Sequence, residues 1–458
     1  MGWTIVIDFT LLSLSLLVAS ILRANIGFLK RFHVPNAITA GFVALGLIYL
    51  LDWLIPNLAP DRKVLGNIVY HLLSVTFISI GLKKRVKYID RNSLTTAFNL
   101  SLGYAVEGFV GYSLTLLFLF TFMPKIFPTF GMLLEIGFGQ SSGQAYALGK
   151  QWESLGFVHG GTVGLTFGAI GFLWACFVGI PLLNWGIKKG YVKNLDKKIL
   201  SHTGFLKPNE KKHVSGYSTT HPDVISSGSF HLAFVGFIYL VDYLFIKGIV
   251  YLLGLIGSNF AHQFGNILWA YHAFFATLFA LIAGKILDRL NLHYILDDHI
   301  LTNISASSVD FLVTAAIMAI ELVVVMEFIV PIAIISVVGG VLTTLFVLYM
   351  AKNTYSDYIF ERFISIFGLL TGTVSTGLAL LRVIDPDYET PAASDLVLGS
   401  GLSLFIGFPL LFVINIPALK QNVKAYLLTD VAIFGYMVIA IILMIILGMF
   451  KRRSLKNV

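Results

Sequence analysis

The segment GFGQSSGQAYALG, Gly137 to Gly149, concentrates uncharged polar side chains within an otherwise apolar chain. Glycine lets a backbone approach a ligand closely and adopt conformations closed to other residues. Between the glycines, Gln140, Ser141, Ser142 and Gln144 offer donors and acceptors without the cost of burying a charge. A helix-packing patch would use the same small residues, but two adjacent serines flanked by glutamines are more polarity than packing needs. The segment reads as a binding loop. A second segment, GLLTGTVSTGLALLR from Gly368 to Arg382, supplies hydroxyls at Thr371, Thr373, Ser375 and Thr376 and backbone freedom at Gly372 and Gly377. Half-helix ends in such loops turn amide groups toward a carboxylate and carbonyl groups toward a cation. Arg382 closes the second segment. It has the planar fork for a substrate carboxylate, and it would serve equally as a topology anchor.

Ionisable residues inside apolar runs are rare and usually functional. Asp310, Thr314 and Glu321, at i, i+4 and i+11, share one helical face and are expected to line an ion or proton path, or to reach interfacial water from either end. Glu107 lies in mid-run beside Gly108, and Glu135 leads into the first loop. The histidines show no metal-ligand spacing, and His159, beside Gly160 and Gly161, reads as an interfacial cap. There is no phosphate-cradling Walker loop and no Ser-His-Asp signal, so no enzyme and no cofactor is expected. A membrane-embedded enzyme using Glu135, His159 or Asp310 is the remaining reading of that class. The single cysteine, Cys176, excludes an intramolecular disulfide.

The elements that must hold these groups are membrane helices. Of 458 residues, 57% are apolar and 12% are charged, about half the charge of a soluble domain, and mean hydropathy is +0.84. The net charge of +8 comes from residues clustered in alternate loops, not from a basic stripe, which argues against a nucleic-acid partner. Apolar runs near 3–22, 35–55, 64–82, 93–122 and 159–187, then 229–255, 263–287, 304–326, 329–350, 394–418 and 426–450, predict eleven spans. The first run, with no basic region before it, reads as a span and not as a cleavable signal. The segments 129–150 and 361–382 are too rich in Gly, Ser and Thr for full spans and are expected to be re-entrant hairpins. With Met1 outside, 25 of the 32 basic residues face inward, Arg362 among them, so the N-terminus is expected outside and the C-terminus in the cytoplasm. Each half then has an odd number of spans, and the second copy is inverted. The expected fold is an all-α polytopic membrane protein of two inverted five-span repeats, each with a re-entrant hairpin, plus an extra C-terminal span. Its parts are a first repeat 1–187, a cytoplasmic linker 188–228, a second repeat 229–418 and an extra helix with a basic tail 419–458. That architecture belongs to secondary transporters, and without a nucleotide site an ion gradient must drive transport.

Three stretches resemble the bacterial sodium/glutamate symporter family: GFLKRFHVPNAITAGFVALGL (Gly27 to Leu47), SIGL (Ser79 to Leu82), and GFGQSSGQAY running on through Leu155 to Phe157 and Gly179 to Pro181. The resemblance is good over most of the first half and looser in the second. It implies a homodimer in the bacterial inner membrane, with a scaffold and a moving substrate domain, coupling sodium influx to uptake of glutamate or a related acidic amino acid or dicarboxylate. Gly139, Gln140, Ser142 and Gly143 align with the family's first hairpin, with glutamine in place of histidine. Gly368, Gly372 and Thr376 align with its second hairpin, where Leu370 replaces a glycine, Ser375 a proline, and Arg382 a neutral residue. The substrate-binding set is thus Gly139, Gln140, Ser141, Ser142, Gly143, Gly372, Thr373, Ser375, Thr376 and Arg382, with sodium at Glu135, Ser142, Asp310 and Thr371. A proton-coupled organic-anion carrier, with Asp310 or Glu321 as the proton site, is the alternative.

Overall fold

The computed structural model describes residues 3–32, 34–55, 60–83, 90–192, 214–257, 259–385 and 388–450. These are helices and connecting turns, with no strand among the described residues. The first half contains α1 (Trp3–Asn25), α2 (Asn36–Leu54), α3 (Arg62–Gly81) and α4 (Arg91–Phe120), then α5 (Ser142–Glu153) and α6 (Gly160–Phe177), which runs on through Gly179–Lys188. The second half contains α7 (Ser227–Ile256), α8 (His272–Arg289), α9 (Asp298–Met318) and α10 (Ile329–Thr354), then α11 (Ile359–Leu370), α12 (Val374–Arg382) and α13 (Ala392–Ile406). A last helix, α14 (Val423–Ile446), follows. The helix starts sit where an acceptor side chain precedes an apolar run. Asp61, Asp90, Ser226, Asp297 and Asn422 each accept from a backbone N–H of the first turn, satisfying donors that a helix leaves unpaired.

Ten helices among the described residues are long and apolar enough to cross a membrane. The eleventh expected span, 394–418, is a pair, Ala392–Ile406 and Phe408–Lys420, bent by 49°. Pro409 is the second residue of the second piece, in the first turn, where its missing N–H costs least. Both segments read as hairpins are broken helices. In the first, Met132–Glu135 passes into a π-helical turn, Ile136–Gln140, and stops at Ser141 before α5. In the second, α11 stops at Thr371 and α12 begins at Val374. Of the expected linker 188–228, residues 193–213 lie outside the described residues, as do Lys84, Arg85, Lys87 and the tail from Lys451.

The long span Gly160–Lys188 shows which way each broken segment runs. A side chain at Gly171 would touch Phe138; at Gly168, Ser142; at Gly164, Ala145; and Gly149 and Gly160 meet backbone to backbone. Successive residues of α5 therefore retreat along α6 after the chain has reached Gly171. From the other end, Phe360 lies against Gly186, Phe367 against Gly179 and the Thr371 carbonyl against Gly171; Leu380 is back at Gly179. Gly368 and Gly377 face each other across this second reversal, where a Cβ on Gly368 would lie 2.7 Å from the Gly377 Cα. Each broken segment doubles back. The two reach Gly171 from opposite ends of one span.

Candidate functional site

The first break is held by Ser141, whose hydroxyl accepts from the Gln144 N–H at 3.1 Å. Thr373 does the same at the second, accepting from the Thr376 N–H at 3.4 Å. Each cap fixes where a new helix begins. A cavity of about 790 Å³ lies beside these starts, lined at the first break by Gly139, Gln140, Ser141 and Gln144, and at the second by Thr373, Val374 and Ser375. The cap and third residue of α5, Ser141 and Gln144, and the cap and first two residues of α12, Thr373 to Ser375, thus face one space. Unpaired N–H groups and the positive ends of two helix dipoles favour an anion there. Among the described residues no cationic side chain lines the cavity at the breaks; the charged ones that line it, Lys83, Lys285, Asp288 and Asp298, stand where α3 and α8 end and α9 begins.

The remaining expected site residues divide. Ser142 is 2% exposed and packs against Gly168, its hydroxyl without a partner among the described residues. Gly143 packs on Leu73 and Leu312. Gly372 is buried against Thr376, whose hydroxyl pairs with that of Thr373 at 3.2 Å. The Thr371 hydroxyl donates to the Phe367 carbonyl at 2.8 Å, one turn back in its own helix. Arg382 ends α12 on an exposed face and does not line the cavity. Of the sodium set, Glu135, Ser142 and Thr371 are buried at or beside the breaks while Asp310 is exposed on α9, and none of the four lines the cavity. The shared face expected for Asp310, Thr314 and Glu321 is broken, because α9 ends at Met318. Glu321 instead begins the next short helix and accepts from Thr162 at 3.4 Å. Glu135, His159 and Asp310 stand on three separate elements.

Two buried carboxyl groups flank the first break. Glu107, on α4, accepts from Thr343 of α10 at 3.0 Å through one oxygen; the other has no partner among the described residues and would lie 3.0 Å from a Cβ on Gly139. Glu135 accepts from Gln140 at 3.2 Å, and its second oxygen would lie 2.7 Å from a Cβ on Gly108. Gly108 and Gly139 let α4 and the first break close around these oxygens. The mid-run position of Glu107 is visible in the sequence, but nothing there brings it to Gly139. Arg362, counted among the inward basic residues, is 1% exposed and forms an ion pair with the equally buried Asp395 at 2.8 Å. It also pairs with Asp357 at 2.8 Å and lies over the Tyr355 ring.

A scan against protein-family models gives no match to this chain, and comparison with curated proteins gives no relative.

Proposed function

We propose that the chain is a secondary transporter that carries a small carboxylate across the membrane together with a cation. The observation that carries this reading is the convergence of two helix starts, one from each half, on a single cavity. Main-chain amides and the hydroxyls of Ser141, Thr373 and Ser375 would take the carboxylate. Glu107 and Glu135 would hold the coupling cation behind the first break, where an unpaired buried carboxylate is costly and a cation offsets it. Sodium is the cation that the resemblance in sequence supplies, and glutamate or a related dicarboxylate is the corresponding substrate. On this reading the halves 1–187 and 229–418 are inverted copies and the two broken segments are re-entrant hairpins from opposite membrane faces. The opposed approach to Gly171 supports both. The cavity runs from the breaks to the helix ends bearing Lys83 and Lys285, the side expected to be cytoplasmic, so the conformation would be inward-facing and alternating access would open the other side. The test is uptake of labelled amino acids and dicarboxylates into proteoliposomes, with and without a sodium gradient. Sodium-driven accumulation of an acidic compound is expected; uptake of none of them under any ion gradient would reject the reading.

A further inference from the structure

A second group of ionisable residues lies away from the cavity, where α3, α7 and α8 pack together. Asp242, at the middle of α7, is 0% exposed, and neither carboxylate oxygen has a hydrogen-bond partner among the described residues. Tyr239 lies three residues before it on α7, one helical turn away, and its ring is 6.3 Å from that of His272, against which Tyr70 of α3 also packs. Both phenols are engaged elsewhere: Tyr70 donates to the Trp269 carbonyl at 2.6 Å, and the Tyr239 hydroxyl sits 2.7 Å from His71 Nδ1. His272, at the start of α8, lies tilted 3.8 Å from the Tyr70 ring and bonds Ser74 Oγ through Nδ1 at 2.5 Å. Its Nε2, also buried, has no partner among the described residues. The other charged groups around α7 lie off this point. Lys247 turns over the Tyr243 ring, His262 sits by Gly254, and Asp297 of α9 bonds His231, the last two roughly three helical turns from Asp242.

A bare carboxylate here would be a buried charge without hydrogen bonds among the described residues at the middle of a long apolar helix, which is strongly unfavourable. A metal ion needs several oxygen ligands around it, and this pocket offers rings and committed hydroxyls; no cluster of three His, Cys, Asp or Glu fit to hold a metal occurs among the described residues. A proton removes the charge with no further ligand. The group is also joined to the cavity. Gln144, which lines the cavity on α5, donates to the Ala270 carbonyl at 2.7 Å, between Trp269, which bonds Tyr70, and His272. This hydrogen bond ties α5 to the segment that packs on this cluster.

We infer that Asp242 is a proton-binding site, supported by Tyr70, Tyr239 and His272, and linked to the cavity through Gln144 and the segment Trp269–His272. As a coupling site, carrying one proton per cycle with the substrate, it rests on the transport reading; as a protonated carboxyl it stands without it. Two measurements separate these. Infrared difference spectra of the purified protein, titrated across about pH 5 to 8, read the carbonyl band of a protonated carboxyl. One band is expected to vanish in Asp242→Asn and to shift in Asp242→Glu; spectra identical in all three proteins would overturn the site. Should Asp242→Asn fail to reach the membrane, Asp242→Glu is read by the same band. Uptake of the labelled panel into proteoliposomes is then followed with and without an inward proton gradient. Wild-type uptake is expected to respond, up to about ten-fold per pH unit for a single coupled proton, and the response is expected to disappear in Asp242→Asn while substrate binding persists. A proton response unchanged in Asp242→Asn overturns the coupling. If nothing in the panel is taken up under any gradient, the transport reading and the coupling fall together, and the infrared band alone decides the proton site.

Discussion

The two broken segments meet at the same glycine, yet the charges that accompany them lie at opposite ends. Around the first, the buried charge-bearing groups stand at the break: Glu107 against Gly139, and Glu135 joined to Gln140. At its far end the exposed Lys150 pairs with the partly buried Glu153 at 2.6 Å, and pairs open to solvent contribute about 0–1 kcal/mol. Around the second, the break carries hydroxyls alone, and the charges are buried where the segment begins. There Arg362 joins Asp395, which also accepts from Ser93 of α4 at 3.1 Å. The first segment is held along its length by close backbone packing on α6, from Gly149 to Phe138. The second is held at its root by an ion pair. A carboxylate at a break responds to a cation, whereas an ion pair at a root fixes position. On the proposed transport reading, the first segment would sense the coupling ion and the second would supply a fixed wall.

The largest effect is expected from breaking the root. Arg362→Ala would leave Asp395 buried and unpaired and should destabilise the protein by about 3–5 kcal/mol, whereas Lys150→Ala should change stability by less than about 1 kcal/mol. Thermal unfolding of the two variants in detergent compares them directly; equal losses would remove the distinction. Gly171→Leu attacks the point that both segments share. A Cβ there would already lie 3.0 Å from the Thr371 carbonyl and 3.1 Å from the Phe138 Cα, so the larger side chain should cost about 1–3 kcal/mol by overpacking and abolish uptake. Normal uptake by this variant would show that the approach of the two breaks is dispensable.

Smaller effects test the roles at each break. Glu107→Gln keeps the shape and the Thr343 contact, so stability should hold while apparent sodium affinity falls about ten-fold, equivalent to about 1.4 kcal/mol. An unchanged sodium dependence would shift the cation away from the first break. Ser375 is exposed to the cavity and Ser142 is not. Ser375→Ala should therefore weaken substrate binding about five-fold, the equivalent of one neutral hydrogen bond of about 1 kcal/mol, with Ser142→Ala nearly silent. The reverse order would mean that the hydroxyl at Ser142 turns to the substrate in another conformation. Arg382→Lys should leave substrate affinity unchanged, since an exposed position off the cavity needs only a positive charge; a marked loss would restore Arg382 to the site.

By itself, the sequence determined the all-helical character, the approximate place of each long helix though not every end, and the two points where helices break. Those features are local. A run of about twenty apolar residues spans a bilayer as a helix whatever surrounds it, and caps such as Asp61 or Asn422 act within one turn. Gly, Ser and Thr at 137–144 and 371–377 marked the breaks for the same reason. Which hydroxyl turns to the cavity was not local. Adjacent residues at a helix start point about 100° apart, so Ser141 caps a helix beside the cavity while Ser142 packs on Gly168, and only the docking of α5 on α6 chose between them. Asp310 and Glu321 had the spacing of one helical face, but α9 stopped at Met318 and its packing turned Asp310 outward. Tertiary structure likewise brought Glu107 to Gly139, Arg362 to Asp395, and His272 to Tyr70 and Ser74 from separate helices. Buried charge finds its environment only when separate helices close around it, and a one-dimensional pattern carries no record of that closure.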